Sequence, residues 1–226
     1  MLNELIKTEE EITSEAASGR GMLVVVSSPS GGGKGTLIDR VLQTVPGVSY
    51  SVSYTTRSPR AGEQDGREYF FVSLAEFEDM VGRGEFLEWA NVYGHFYGTS
   101  HRQVEHERAA GRDIILGIDV QGAASIRHLV EDAVSIFILP PSFELLRQRL
   151  TARATDSPAD LEKRLRGAPA EVEQYKDFRY VILNDDINRA SAQLASVIYA
   201  ERARLNRQET LLQDTLRDFA RIQNSG

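Results

Sequence analysis

Three features of this sequence suit anions, and a fourth demands donors. The first is Ser28-Pro29-Ser30-Gly31-Gly32-Gly33-Lys34-Gly35-Thr36. Glycines let successive backbone N–H groups curl around a phosphate, a following helix adds positive potential, and Lys34 supplies a point charge. The second is a loop carrying Arg57 and Arg60, whose planar guanidinium forks match the oxygens of a phosphate. The third is Arg149 and Arg153, four apart and so on one helix face, with Arg164 beyond them. The fourth is Glu88, set among Phe86, Leu87 and Trp89, where an unpaired carboxylate would be costly.

The elements that must position these groups can be read from periodicity. Met22–Val26 is a β-branched run typical of a strand covered on both faces, and Leu37, Val41 and Leu42 begin a helical spacing after the glycines. Pro46-Gly47 ends that helix, and Ser49–Tyr54 alternates like a strand. Arg57–Arg67 is a loop and Tyr69–Val72 a short strand; Ser73 and Glu76 form a capping box. Phe86–Val92 reads as a strand, Gly94 and Gly98 as brackets of a turn, and Ser100 as the cap of a polar helix ending at Gly111. Then come Ile114–Ile118 (strand), Ala123–Val130 (helix) and Ser135–Leu139 (strand). Pro140-Pro141-Ser142 starts a helix, and Ser157-Pro158-Ala159-Asp160 starts another. Tyr180–Leu183 is the last strand, and one long amphipathic helix is expected from about Asn188 towards Ile222.

Strand–helix alternation at both ends implies an α/β fold with a parallel sheet and right-handed crossovers. The expected organisation is an acidic leader over residues 1–20, a domain over 21–206 and a C-terminal helical extension over 207–226. Within the domain, residues 21–52 and 99–206 form the core. About 53–98 forms an inserted mixed α/β lobe, and about 149–167 a mobile helical lid.

Composition narrows the function classes. The 226 residues include no cysteine, which excludes disulfides, thiolate chemistry and cysteine-held metals. The formal net charge is −7, against a general nucleic-acid binder. No stretch is apolar enough to span a bilayer, and the glutamate-rich start resembles neither a secretory signal nor a transit peptide, so a cytoplasmic location is expected. His95, His101, His106 and His128 have no metal-ligand spacing. Leu205, Leu212, Leu216 and Phe219 suit core packing or a contact in a homo-oligomer.

The segments between these motifs make a more specific pattern. Ser51–Tyr69 resembles the GMP-binding segment of guanylate kinases, and Glu85–Ser100, Ile118-Asp119-Val120-Gln121-Gly122 and Asn184-Asp185-Asp186 follow at that family's spacing. The resemblance covers about Met22 to Arg204. It implies a P-loop nucleoside monophosphate kinase that converts ATP and GMP to ADP and GDP, with dGMP as a further acceptor. The transfer would be direct and in line, assisted by Mg²⁺.

By resemblance, Ser30 to Thr36 bind ATP, and Arg57, Arg60, Tyr69 and Tyr97 hold the GMP phosphate. Glu88 reads guanine N1–H and the 2-amino group, Ser53 and Thr99 reach the O6 side, and Asp119 completes the GMP site. Lys34, Arg149, Arg153 and Arg164 are the residues implied in catalysis. One carboxylate can accept guanine's two adjacent donors together, whereas adenine has neither on that edge. A site built this way rejects the analogue about 10⁴-fold.

The sequence departs from the family pattern at several points. Ser28 replaces the first loop glycine, and Gly35 the hydroxyl residue that helps hold Mg²⁺. Thr36 and Asp119, through water, are the remaining candidates for the metal. Gly117 stands where an acidic residue is usual, and Ala152 and Ala154 replace lid glycines. Gly167 and Pro169 are expected to break or kink the lid helix. Two rival readings are a catalytically silent guanylate kinase-like module and a regulatory GTPase. Retention of Lys34 and the lid arginines opposes the first; absence of an Asn-Lys-x-Asp motif opposes the second.

Overall fold

The computed structural model describes residues 19–152 and 158–223. Residues 1–18 of the expected leader, Arg153, Ala154 and the Ser157 cap therefore lie outside the described residues. At the centre is β1 (Leu23–Ser27), buried along its whole length. It pairs in parallel with β7 (Asp113–Leu116) on one side and β8 (Val134–Leu139) on the other. The edges are β2 (Val48–Tyr50), against β7, and β9 (Tyr180–Leu183), against β8, in the order β2-β7-β1-β8-β9. The reversal of winding around β1 leaves a crevice at the carboxyl ends of β1, β7 and β8, where ligands of open α/β sheets bind.

Burial on both faces explains why the strands are apolar runs. Val24, Val26, Ile115, Ile136 and Ile138 pack on α1 (Lys34–Thr44) and α7 (Ile187–Arg202), through Leu37, Val41, Leu194 and Ile198. Leu23, Val25, Ile114 and Leu116 face Val104 of α3 (His101–Ala109) and Ile126 of α4 (Val120–Leu129).

The second sheet has the order β4-β3-β6-β5. It comprises β3 (Tyr54–Thr55), β4 (Phe70–Phe71), β5 (Phe86–Val92) and β6 (His95–Ser100). The expected strand Ser49–Tyr54 is split between the sheets. The Ser51 N–H still donates to Ile115 of the first, while the Ser53 carbonyl already accepts from Phe70 of the second. The expected turn between Gly94 and Gly98 is instead β6, paired antiparallel with β5 from Val92↔His95 to Phe86↔Ser100. The real turn is Tyr93-Gly94. Before β5, α2 (Leu74–Gly82) carries the expected capping box, with Ser73 and Glu76 bonded reciprocally.

After β8 come α5 (Phe143–Ala152) and α6 (Pro158–Glu173). Contrary to expectation, α6 runs unbroken through Gly167 and Pro169. The proline removes one N–H at an exposed position, and Leu161, Leu165 and Ala168 hold the helix against Leu146 and Leu150 of α5. The expected single C-terminal helix is two, α7 and α8 (Leu205–Gln223). Ala203 caps α7, and the Gln208 amide donates to the Arg202 carbonyl at 2.8 Å. Leu205, Leu216 and Phe219 are exposed, so this face of α8 adds nothing to the protomer's core. Among the described residues, no helix is long and apolar enough to cross a membrane.

Candidate active site

The phosphate loop leaves β1 at Ser27 and enters α1 at Lys34. Gly33 caps the helix with φ +90°, and a Cβ there would stand 2.3 Å from the Asn184 amide nitrogen; only glycine fits. That amide donates to the Gly32 carbonyl at 2.8 Å, and so fixes the loop from the end of β9. The first turn of α1 carries no acidic residue, which leaves its positive end available to an anion.

Lys34 donates to the carbonyls of Gly117 (2.8 Å) and Ile118 (2.6 Å), at the end of β7. Its pKa is lowered to about 8 by burial, against the opposing pull of Asp119, Glu171 and Glu88. Gly117, before the backbone reaches Asp119, has little room for a side chain. A Cβ there would meet the Tyr50 hydroxyl at 2.9 Å and Ile38 at 3.1 Å, so the Tyr50 ring occupies the space a side chain would need. Asp119 caps α4, accepting from Gln121 and Gly122.

Arg149 donates to the Gly32 carbonyl at 3.4 Å and the Asn184 carbonyl at 3.1 Å. Arg164, on α6, donates to the Ser30 hydroxyl at 3.1 Å. Both arginines thus lie against the phosphate loop, while Arg147 and Arg166 are exposed, as a solvated face requires.

Across the crevice, the second sheet supplies the other wall. Pairing of β5 with β6 sets Glu88 opposite Thr99. A register irregularity between Phe86 and Glu88 aims the strand's next inward positions, Glu88 and Ala90, into the interior, while Trp89 faces out. Glu88 is 6% exposed and accepts from the Thr99 hydroxyl at 2.6 Å. Burial pushes its carboxyl up to about 7, with nearby Asp119 adding to the shift and Thr99 and Lys34 opposing it.

Arg57 is equally buried. It pairs with both carboxylate oxygens of Glu63 at 2.9 Å and donates to the Ser58 carbonyl at 2.7 Å. Its guanidinium lies 5.4 Å from the Tyr69 ring centroid. Its Nε is buried without a hydrogen-bond partner among the described residues, an arrangement that a bound acceptor would relieve.

These groups line one cavity of about 660 Å³. It gathers Ser30 to Gly35 with Ser53, Arg57, Arg60, Tyr69, Glu88, Tyr97, Asp119 and Arg164. Thr99 adjoins it through Glu88. Thr36 lies elsewhere, in a second cavity beyond the loop with Arg149, Asn184, Asp185 and Asp186. Gly31 and Gly33 line both cavities, so the loop stands between two pockets.

Sequence reasoning missed two groups at the loop. Glu171 of α6 accepts from the Ser30 N–H at 2.9 Å and from the Tyr93 hydroxyl at 2.6 Å. Glu171 lies seven residues after Arg164, on the same helix face, and Tyr93 precedes the glycine of a tight turn. Those were the available signals. Among the described residues, no group of three or more His, Asp or Glu could hold a metal ion.

The relatives of the chain point to one family. A sequence profile of the guanylate kinase family matches residues 20–201. A guanylate kinase of Symbiobacterium thermophilum is 49% identical over 87% of this chain and 93% of its own length. One of Dechloromonas aromatica is 51% identical over 80% and 89%. The crystal structure of guanylate kinase from Anaplasma phagocytophilum superposes with a TM-score of 0.73 at 33% identity, covering 88% of this chain and 97% of that one. A phosphate loop facing a buried carboxylate across one crevice, with arginines on both sides, is thus built on a matching fold and sequence: the chain belongs to the guanylate kinase family.

Proposed function

We propose that this protein transfers the terminal phosphoryl group of ATP to GMP, and to dGMP, in one in-line step. The observation that carries the reading is Glu88: a buried carboxylate, oriented by Thr99, in the same cavity as the phosphate-loop lysine. Its placement suits the paired donors of guanine. Arg57, Arg60, Tyr69 and Tyr97 suit the acceptor phosphate on the same wall. The second cavity, between Arg149 and Asn184–Asp186, suits the nucleoside end of ATP, with its phosphates turning along Ser30 to Lys34.

The catalytic work is positioning and charge neutralisation. Lys34, held by two carbonyls, presents its ammonium where phosphate charge builds, and Arg149 and Arg164 approach from the lid side. The attacking GMP oxygen is already anionic, so no general base is needed. Mg²⁺ would arrive with ATP and neutralise phosphate charge. The donor set fits an ion held chiefly by the nucleotide, because Asp119 follows the end of β7 and, among the described residues, no group of three or more His, Asp or Glu forms a protein cage. Asp119 and Thr36 are its candidate partners through water, and Arg153 a third lid arginine.

The test is ADP release by the purified protein with Mg·ATP and GMP, dGMP, AMP, CMP or UMP supplied separately. Turnover with GMP and dGMP far above AMP is expected. Preference for AMP or a pyrimidine would discard the role of Glu88. GMP binding without turnover would move the reading to a silent binding module.

A further inference from the structure

The mechanism above leaves unused the residue at the tip of the β5–β6 hairpin. Tyr93 has φ +54° and Gly94 φ +91°, so both central residues of this turn are left-handed. Asparagine or glycine takes the first of these positions with less strain. A bulky residue held there by its surroundings is a pointer to function.

The Tyr93 side chain reaches the lid. Its hydroxyl donates to one oxygen of Glu171 at 2.6 Å, and the other oxygen takes the Ser30 N–H at 2.9 Å. Burial and this bond push the phenol above its ordinary value, which keeps it a donor. Gly167, one turn earlier on α6, makes room: a Cβ there would stand 2.5 Å from the Tyr93 oxygen. The Arg164 guanidinium lies 5.9 Å from the centroid of the same ring and also bonds the Ser30 hydroxyl. Arg164, Gly167 and Glu171 therefore form one stripe of α6 that receives Tyr93 on one side and the phosphate loop on the other.

We propose that Tyr93 and Glu171 are positioning residues that couple the lobe bearing Glu88 and Arg57 to the lid helix and phosphate loop, so that Arg164 aligns only when the hairpin tip is seated. This rests on the reading of the cleft as an ATP and GMP site. Tyr93 extends the strand that carries Glu88, so a shift of that strand on GMP binding moves the hydroxyl that anchors Glu171. The carboxylate converts this shift into the position of α6 and of the Ser30 amide.

Tyr93→Phe removes only the hydroxyl, and Glu171→Ala removes both bonds. Glu171→Gln can keep both, its oxygen accepting from Ser30 and its amide donating to the phenol. We expect Tyr93→Phe and Glu171→Ala each to lower kcat about tenfold, with the GMP Kd measured without ATP within about twofold of wild type. The double variant should be no slower than the slower single, because both break one link. Glu171→Gln should recover most of the loss. Gly167→Ala favours the helix intrinsically but displaces the Tyr93 oxygen, so it should lower kcat without lowering the melting temperature, a pattern that a purely structural contact would not produce. Multiplying single effects, wild-type kcat in Tyr93→Phe, or a fully active Gly167→Ala would overturn the proposal. Hydrogen exchange of the Ser30 amide separates its failure from failure of the functional reading, because it needs no nucleotide. Exchange should quicken about tenfold in Glu171→Ala, and unchanged protection would overturn the link even if GMP turnover is found.

Discussion

The two walls of the cleft solve recognition by opposite means. The phosphate-loop wall stands on an apolar parallel sheet buried on both faces, and it offers backbone N–H groups, a helix end and a lysine tied to two carbonyls. None of the backbone groups titrates, and their positions follow from the strand before and the helix after. The opposite wall stands on four short strands with one irregular pairing, and the selectivity proposed for it would rest on the Glu88 carboxyl, which burial pushes up to about 7. On the proposed reading, phosphate would be bound by what the chain always has, and the base chosen by what a few side chains supply at a cost in desolvation.

Four perturbations probe that difference, taken from the largest expected effect. Lys34→Met should disable the loop wall alone, reducing kcat about 10³-fold or more while GMP affinity measured without ATP stays within about threefold. Steady-state turnover beside calorimetry checks this, and a large loss of GMP affinity would show that the walls are not separable.

Glu88→Gln should disable the base wall alone. The amide turns a donor towards guanine's donors, so kcat/KM for GMP should fall about 10²-fold or more with ATP binding intact. The same variant should be more stable above neutral pH. The folded-state pKa of about 7 lies above the ordinary 4.5, so the wild type loses stability as pH rises from about 4.5 through 7. The full penalty is on the order of 3 kcal/mol, and the glutamine avoids ionisation. Chemical denaturation at pH 5 and pH 8 would show the gain only at the higher pH.

Raising the pH should also strengthen GMP binding about tenfold between pH 6 and pH 8, because guanine's donors need the ionised carboxylate. Glu88→Gln should flatten this rise apart from the contribution of the nucleotide phosphate itself. A rise of equal size in both proteins would assign the titration to the ligand.

Thr99→Val is the smallest change. Loss of the 2.6 Å bond to Glu88 should raise KM for GMP about three- to tenfold. Since that bond holds the carboxyl down, the pH rise in GMP affinity should move upward. An unshifted profile would mean that Thr99 only fills space.

Much of this division was legible in the chain. β5 and β9 coincide with the expected strands, Phe86–Val92 and Tyr180–Leu183, because apolar runs between glycines or charges have few other uses. The loop at Ser28–Thr36 could be read because glycine and lysine spacing is local chemistry. The expected strand over Ser49–Tyr54 misled because the chain changes sheets between Ser51 and Ser53, and alternation says nothing about which partner it meets. The Gly94–Gly98 turn failed similarly: Gly98 is a strand residue paired with Trp89. Pro169 was expected to break or kink its helix; the break does not occur, and α6 packs on α5 through Leu161, Leu165 and Ala168.

By itself, then, the sequence determined the α/β order, the glycine-rich loop with Lys34, and Arg57, Arg149, Arg164 and Glu88 as groups to be brought near it, since each rests on residue type and spacing within a few positions. Only the tertiary structure decided which of those groups meet. Glu88 finds Thr99 eleven residues on, Gly117 yields its space to Tyr50, and Glu171 joins Tyr93 to Ser30 across three separate elements. Such contacts come from packing and register, where a shift of one residue changes the partner without changing any local preference.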